Sequence, residues 1–350
     1  MVGIGLIGAG RIAQVHARAY RNVAGATLLA AADVVKEAAD RTAATFGLDA
    51  YYDYHELLAR QDIDGVVVAV PSPLHARIAV DVAGAGKHVF CQKPIAPTLA
   101  EADTIIAACR DAGVVLQVGF MLRSTPPIAG IKEMVENGVL GDLVALRASA
   151  FGWEPNGDWF YQVDKGGGVI VDTMIHFLDL WRWLGGEVRA VHALGGAYVL
   201  EGAKRYDTTD NAHVSLAFAS GAMGSILGSW TTGYGDLFFE VHGTKGTAFV
   251  DFLQRQTGMV FLKDAAGTRP AGWSFNEVIW TVGYEAEARR FVAAIDGSAG
   301  PAASGEDGRA ALELALAAEE SLRTGGVVSL PLTDKQAAAV TAPRQGAAAR

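Results

Sequence analysis

A glycine turn directly after the first apolar run is the feature that most narrows the folds open to this chain. Residues 2 to 7 suit a short strand buried on both faces, and the run Gly8-Ala9-Gly10-Arg11-Ile12-Ala13 follows at once. In this dinucleotide fingerprint Gly8 makes the tight turn, Gly10 lets a pyrophosphate approach the backbone, and Ala13 keeps the next helix close to the strand. The sequence therefore predicts that the chain opens with a dinucleotide-binding βαβ unit.

An acidic residue at the end of the second apolar run strengthens this prediction. Residues 27 to 32 end in Asp33, which lies 20 residues after Ala13. A carboxylate there can accept both ribose hydroxyls, and its charge repels a 2′-phosphate. Val34 and Val35 offer no cation for such a phosphate, so NAD is favoured over NADP. The helix amides that follow the turn point at the phosphates, and the expected NAD contacts here are Gly8, Gly10, Arg11, Ile12 and Asp33.

Apolar runs and helical stretches alternate through the first third of the chain. This alternation predicts a doubly wound parallel sheet with an α/β fold, in which ligands bind beyond the carboxyl ends of the strands. Three of those ends carry polar or unusual residues. They are Pro71-Ser72-Pro73-Leu74-His75, Gln92-Lys93-Pro94 and Gly119-Phe120-Met121-Leu122-Arg123.

Past about residue 141 the pattern changes to strands of mixed alternation separated by turns. Such runs predict a second domain with an antiparallel or mixed sheet that is covered by helices. A chain of 350 residues also exceeds what one hydrophobic core usually serves. We predict an NAD-binding Rossmann domain at 1–120, a substrate-binding and oligomerisation domain at 121–332, and a loose Ala-rich tail at 333–350.

Charge and cysteine content limit the partners and the compartment. The net charge is -9 without a basic run, which argues against nucleic acid and anionic membranes as partners. No apolar run reaches membrane-spanning length, and the N-terminus has no basic region or cleavage site of a signal peptide. Cys91 and Cys109 form no disulfide framework and have no metal-ligand spacing. We expect a soluble cytoplasmic protein without a metal.

A triple glycine, Gly166-Gly167-Gly168, opens an apolar helical segment that contains an acid and an imidazole. Asp172 and His176 are four residues apart, so on a helix they share one face. The structural alternative is a helix cap with a satisfied buried histidine. Lys93 favours a catalytic role, because an ammonium at the sheet edge near the nicotinamide can polarise an alcohol oxygen and stabilise an alkoxide.

Together these motifs resemble those of the glucose-fructose oxidoreductase/inositol dehydrogenase/MocA (Gfo/Idh/MocA) family. The likeness runs from Gly8 to about residue 330 and rests on the fingerprint, the runs 71–75 and 86–94, and the triple glycine segment. It implies NAD(P)-dependent enzymes with an N-terminal Rossmann domain and a C-terminal α/β domain that has a large open, mostly antiparallel sheet. The family's lysine, aspartate and histidine correspond to Lys93, Asp172 and His176. The chain departs from the family at Gln92, where a glutamate is usual. An amide still bonds to hydroxyls but removes a charge beside Lys93.

Within the family, the Asp172-Thr173 pair followed by His176 looks most like the inositol and related cyclic-polyol dehydrogenases. The resemblance implies additional cofactor contacts from Pro71, Ser72, His75, Gln92 and Lys93. It implies substrate contacts from Lys93, Arg123, Asn156, Asp172, Thr173, His176 and Tyr234.

The expected reaction is oxidation of a secondary hydroxyl of a cyclic polyol or pyranose sugar to the ketone, with hydride transfer to NAD. His176 would act as general base, Lys93 would stabilise the alkoxide and Asp172 would orient one of them. Alternatives are a keto-sugar reductase, a sugar–sugar oxidoreductase with a tightly held cofactor, and a non-catalytic NAD-binding regulator. The family resemblance and an open sheet face also predict a homotetramer.

Overall fold

The computed structural model describes residues 1–152, 154–155, 157–252, 259–264, 267–270 and 279–342. The chain divides into two compact units. Unit 1 is Met1–Ser124 with Trp280–Arg309, and unit 2 is Thr125–Ile279 with Ala310–Arg350. Each predicted domain was a single continuous stretch of chain, whereas unit 1 also includes Trp280–Arg309.

Unit 1 is built from strands and helices that alternate along the chain. In chain order these are β1 (Val2–Ile7), α1 (Arg11–Tyr20), β2 (Ala26–Ala32), α2 (Lys36–Phe46), β3 (Asp49–Tyr51), α3 (Tyr54–Leu58), β4 (Gly65–Val68), α4 (His75–Gly84), β5 (His88–Gln92), α5 (Leu99–Asp111) and β6 (Leu116–Gly119). The six strands form one parallel sheet in the order β3-β2-β1-β4-β5-β6. The predicted doubly wound parallel sheet is confirmed. Its strand order reverses between β1 and β4, where such sheets bind their ligands.

Local sequence explains several of these elements. All four residues of β4, Gly-Val-Val-Val, are buried, as expected for a parallel strand covered on both faces. Thr98 is the N-cap of α5, and its hydroxyl accepts a hydrogen bond from the Glu101 amide at 3.2 Å. Ala13 and Ala17 are fully buried in the core around β1, because their small side chains let α1 lie close to the sheet.

The remaining elements in chain order are α6 (Pro126–Glu136), β7 (Leu143–Phe151), a π-helical turn (Ile170–Met174), α7 (Ile175–Gly185), β8 (Val188–Gly196), α8 (Glu201–Arg205), β9 (Asn211–Phe218), β10 (Met223–Ser229), β11 (Asp236–Gly243), β12 (Gly246–Asp251), β13 (Met259–Asp264), β14 (Gly267–Pro270), α9 (Ile279–Ile295), α10 (Gly305–Thr324), β15 (Val328–Ser329) and α11 (Asp334–Thr341). From Trp280 onward α9 belongs to unit 1, and α10 belongs to unit 1 as far as Arg309.

Unit 2 contains a nine-stranded sheet in the order β14-β13-β12-β11-β7-β10-β9-β8-β15. All its neighbouring strands are antiparallel except β7 and β10, which run parallel. Burial alternates along β9, where every second residue is buried. One face therefore forms a core, and on the other Met223 is 60% and Leu227 46% exposed. This is the predicted open, mostly antiparallel sheet.

The end of the described chain corrects the prediction of a loose tail. Thr333 and Gln336 form a capping box, in which the Thr333 hydroxyl accepts from the Gln336 amide and the Gln336 side chain accepts from the Thr333 amide. The box starts α11, and Val340 in that helix is buried. The prediction is wrong for 334–341, because a cap and a buried anchor stabilise a short helix whose periodicity is weak. Residues 343–350 lie outside the described residues.

Within the described ranges, no helix is both long enough and apolar enough to cross a bilayer.

Candidate active site

The loop between β1 and α1 has the geometry that the glycine fingerprint predicts. Gly8 has a φ of +99°, and a Cβ there would lie 2.3 Å from the carbonyl oxygen of Ala69, so only glycine fits. Gly10 is the N-cap of α1, and a Cβ built on it would meet nothing within 4 Å. The first turn of α1 includes Arg11 and Ile12. No side chain of the described residues caps its backbone amides, and the space beside Gly10 is open. Such a helix end fits a pyrophosphate.

Asp33 follows β2 and is bonded to this loop. Its two carboxylate oxygens accept the Ala9 amide at 2.7 Å and the Val35 amide at 2.8 Å. Each oxygen retains a lone pair that can accept a ribose hydroxyl. The side chain of Val34, directly after Asp33, is 85% exposed and supplies no cation for a 2′-phosphate. The residues present therefore fit NAD.

The loop after β4 is tied to the loop after β5 through His75. Its Nδ1 lies 2.9 Å from the carbonyl oxygen of Pro94, and its Nε2 lies 2.9 Å from that of Val70. The ring is buried, and burial lowers the pKa of His75 against the opposing effect of these hydrogen bonds. Ser72 is buried in the 3₁₀ turn that begins beside Pro71. The structure gives His75 the role of holding two loops, and its direct contact with NAD stays a prediction.

Gln92, the last residue of β5, is buried between α1 and the loop that carries Lys93. Its Nε2 lies 2.5 Å from Nε2 of His16, and its Oε1 accepts the Lys93 amide at 3.2 Å. A Cβ on Gly119 in β6 would lie 3.0 Å from Gln92 Oε1. The amide is thus fixed by its neighbours. Lys93 itself is partly exposed at the carboxyl edge of the sheet, where it was predicted.

Arg123 lies in the short 3₁₀ turn after β6 and forms an ion pair within unit 1. Its Nη1 donates to Asp307 at 3.0 Å and to the carbonyl oxygen of Ala302 at 3.4 Å. The side chain is only 3% exposed. This pairing anchors the turn to the first turn of α10. Sequence reasoning missed Asp307, and the predicted substrate contact of Arg123 stays a prediction.

In unit 2 the triple glycine shapes the entry to the segment that carries Asp172. Gly168 has a φ of +71°, and a Cβ there would lie 2.8 Å from the carbonyl oxygen of Thr209. The same carbonyl accepts the Val169 amide at 2.9 Å. The helical segment therefore begins where the backbone meets a neighbouring strand, at a position that admits no side chain.

The segment that follows is not a regular α-helix as predicted, because Ile170–Met174 form a π-helical turn before α7. Such turns, which bond five residues back instead of four, often mark functional sites. Asp172 and Thr173 lie in this turn, and His176 lies in the first turn of α7. All three side chains are partly exposed, although most of their neighbours are buried.

A tryptophan that sequence reasoning missed also belongs to this group. The indole nitrogen of Trp230 donates to Thr173 Oγ1 at 2.9 Å, and the Thr173 hydroxyl donates to Asp172 Oδ2 at 3.2 Å. Trp230 directly follows β10, and no sequence motif distinguishes it. Tyr234, four residues later, is 65% exposed, with its ring 6.1 Å from that of Phe151. The predicted contact Asn156 lies outside the described residues.

The predicted site residues thus fall into two groups. Unit 1 carries the NAD-binding loop, Asp33, Gln92, Lys93 and Arg123. Unit 2 brings Asp172, Thr173 and His176 onto one helical segment.

The six-stranded parallel sheet, the glycine loop and the carboxylate after β2 define an NAD-binding Rossmann protein. Comparison with known families agrees. Residues 2–120 match the oxidoreductase family with an NAD-binding Rossmann fold, and residues 128–249 match the Gfo/Idh/MocA C-terminal domain. The chain belongs to the Gfo/Idh/MocA oxidoreductase family, which confirms the resemblance seen in its sequence. It is an NAD-dependent oxidoreductase that acts on CH–OH groups.

Similar proteins act on inositols and sugars. The myo-inositol 2-dehydrogenase of Thermotoga maritima is 35% identical over 93% of this chain and 98% of its own length. The inositol 2-dehydrogenase of Rhizobium meliloti is 32% identical over 94% of this chain and 99% of its own length. The structure of levoglucosan dehydrogenase in complex with NADH and levoglucosan has a TM-score of 0.86 at 27% identity, covering 95% of this chain and 100% of that chain. NAD-dependent oxidation of a polyol or sugar is therefore supported.

Proposed function

We propose that this protein oxidises a secondary hydroxyl of a cyclic polyol, inositol-like, or of a pyranose to the ketone. The observation that carries the proposal is the placement of Asp172 and His176, partly exposed, on one helical segment of a chain that also has an NAD-binding loop. The inositol dehydrogenases among its relatives support a cyclic polyol as substrate.

Each residue has a role that its chemistry permits. His176 takes the hydroxyl proton, because a neutral imidazole has a free lone pair that can accept it. Lys93 stabilises the negative charge that develops on the same oxygen. Asp172 orients Lys93 or His176. NAD would be held by the loop that contains Gly8 and Gly10 and by Asp33, and it would supply the acceptor for the hydride of the carbon that bears the hydroxyl. Substrate C–OH thus loses one proton to the protein and one hydride to the cofactor.

The test is a panel of cyclitols and pyranoses supplied with NAD, followed by the absorbance of the reduced cofactor. We expect turnover with at least one cyclic polyol or pyranose and none with linear alcohols of similar size. Lys93→Ala serves as the inactive control for traces of contaminating dehydrogenase. Keto-sugars with the reduced cofactor test the reverse direction. No turnover with any member of the panel would refute the proposal.

We also propose that copies of the chain associate into a homotetramer through the open sheet face of unit 2. Met223 and Leu227 are prominently exposed there, and the rings of Phe238 and Phe249 lie 5.7 Å apart on the same sheet. An apolar face of this kind is costly to leave in water. Light scattering should give a mass above that of the monomer, and Leu227→Glu should lower it, whereas Val139→Glu should not. A monomeric wild type at micromolar concentration contradicts this.

The compartment is a further part of the proposal. Cys91 and Cys109 are both buried free thiols, which a reducing environment preserves. We therefore place the protein in the cytoplasm. Fractionation of the source cells with an antibody to the protein tests this, and recovery from an oxidising compartment contradicts it.

A further inference from the structure

Three side chains of unit 2 form a hydrogen-bonded chain that ends on the carboxylate of Asp172. The Trp230 indole N–H donates to Thr173 Oγ1 at 2.9 Å, and the Thr173 hydroxyl donates to Asp172 Oδ2 at 3.2 Å. Trp230 is only 3% exposed. The indole end of this contact is therefore shielded from water, while the Thr173 end is partly exposed.

The chain has one possible direction, because the indole nitrogen can only donate. A threonine hydroxyl has one hydrogen and can rotate it to suit its neighbours. In helical segments that hydrogen usually goes to a backbone carbonyl one turn earlier. At Thr173 the indole occupies a lone pair of the oxygen, and the hydrogen is directed to the carboxylate of Asp172. The order of donors runs from Trp230 to Asp172 and cannot be reversed.

The indole is held in place independently of Thr173. The Trp230 backbone amide donates to the carbonyl oxygen of Asp210 at 3.0 Å, and the ring of Tyr161 meets the indole edge to face at 5.7 Å. Asp210 is itself buried, and its carboxylate accepts three consecutive backbone amides, those of Tyr198, Val199 and Leu200. These contacts fix the position of the Trp230 indole independently of Thr173. The indole can therefore determine the orientation of the Thr173 hydroxyl.

We propose that Trp230 is a positioning residue for the reaction, which acts through Thr173 to fix the side-chain orientation of Asp172. This inference rests on the proposed function, because Asp172 orients a catalytic group only if the oxidation takes place. It also gives the Thr173 hydroxyl a definite role toward Asp172. Asp172 and Thr173 are consecutive residues of the π-helical turn, and Trp230 directly follows β10.

The kinetic test uses single and double variants of the chain. Trp230→Phe retains the packed ring but removes the N–H, and Thr173→Val removes the hydroxyl at nearly constant shape. Each should lower kcat roughly tenfold and leave KM within about twofold, as expected when an orienting contact is lost. The double variant should lose no more than either single variant, because both break the same chain. Thr173→Ser keeps the hydroxyl and should restore most of kcat.

A matched control separates loss of the N–H from general disturbance. Trp181 in α7 is also fully buried in unit 2, and its indole nitrogen has no hydrogen-bond partner among the described residues. Trp181→Phe should therefore leave kcat unchanged. Circular dichroism and thermal unfolding establish that every variant is folded before rates are compared.

A second readout does not depend on activity. The indole N–H resonance of Trp230, identified by its disappearance in Trp230→Phe, should shift on Thr173→Val and remain near its original position in Thr173→Ser. The Trp181 indole resonance should not shift in either. An unchanged Trp230 resonance in Thr173→Val overturns the hydrogen-bonded chain.

The kinetic outcomes are equally decisive. A folded Trp230→Phe with wild-type kcat, or losses that multiply in the double variant, overturns the positioning role. If wild type turns over no cyclic polyol or pyranose, the proposed function fails and the positioning role of Trp230 fails with it. The resonance shift still reports whether the chain of hydrogen bonds exists.

Discussion

Lowering the pH should destabilise unit 1 through one histidine of the nucleotide-binding helix. His16 is only 1% exposed in α1, with the rings of Phe90 and Tyr284 packed against it at 4.9 and 5.3 Å between centroids. Burial lowers its pKa from 6.5 to about 3. The folded protein therefore keeps this imidazole neutral at a pH where an unfolded chain would protonate it.

The size and sign of the effect follow from these two pKa values. Above pH 6.5 neither state of His16 binds a proton, and its contribution to stability is fully present. Between pH 6.5 and about 3 the unfolded chain binds one proton more, so the free energy of unfolding falls as the pH falls. The slope is about 1.4 kcal/mol per pH unit, which gives a loss of roughly 2 to 3 kcal/mol between pH 6.5 and 4.5.

The assay is urea denaturation of wild type and His16→Gln at several values between pH 7 and 4.5. Glutamine can still reach Gln92 but does not titrate. His75 is also buried, and burial lowers its pKa too, but it titrates alike in both proteins and cancels in the difference. The excess stability of wild type over His16→Gln should shrink by about 1.4 kcal/mol per pH unit below pH 6.5. Parallel curves for the two proteins would refute the argument.

Three further predictions concern the cofactor, the chemistry and a buried ion pair. Because of Asp33, kcat/KM with NAD should be at least tenfold higher than with NADP, which corresponds to about 1.4 kcal/mol. Steady-state kinetics of Asp33→Ala should show a smaller ratio between the two cofactors. Lys93→Ala and His176→Ala should each lower kcat about a hundredfold at nearly unchanged NAD affinity. A folded His176→Ala with near-normal kcat would mean that His176 is only a core histidine. Arg123→Met should lower the free energy of unfolding by about 3 kcal/mol, because Asp307 is left without its buried cation, and denaturation at neutral pH measures this. An unchanged value would show that the pair contributes nothing.

The parts of the fold that depend on local periodicity could be predicted from the sequence. Buried strands of the parallel sheet are continuous apolar runs, and the cap at Thr98 is a local pattern of four residues. The dinucleotide loop depends on Gly8 and Asp33, whose roles follow from their spacing and from the few conformations open to the backbone. Short-range rules were sufficient for these elements.

Long-range contacts could not be predicted in this way. The return of Trp280–Arg309 to unit 1 and the pairing of Arg123 with Asp307 join positions far apart in the chain. No periodicity links them, because the periods of helices and strands describe only neighbours along one element. The π-helical turn was missed for a related reason. Its sequence, Ile-Val-Asp-Thr-Met, carries no local signal that distinguishes a π-helical turn from an α-helix.

The amide of Gln92 and the neutral state of the His16 ring are chemically matched. The sequence alone showed only that Gln92 replaces the glutamate that is usual in the family. Gln92 Oε1 accepts the Lys93 amide, so its Nε2 faces His16 and donates to the lone pair of the ring. An ionised carboxylate in that place could only accept, from the Nε2–H tautomer of the ring, and its charge would draw a second proton onto an imidazole that burial keeps neutral. The amide is thus the residue that suits a neutral histidine in this helix. Lys93 loses an adjacent negative charge as a result, but the backbone that carries it is still fixed by the same side chain.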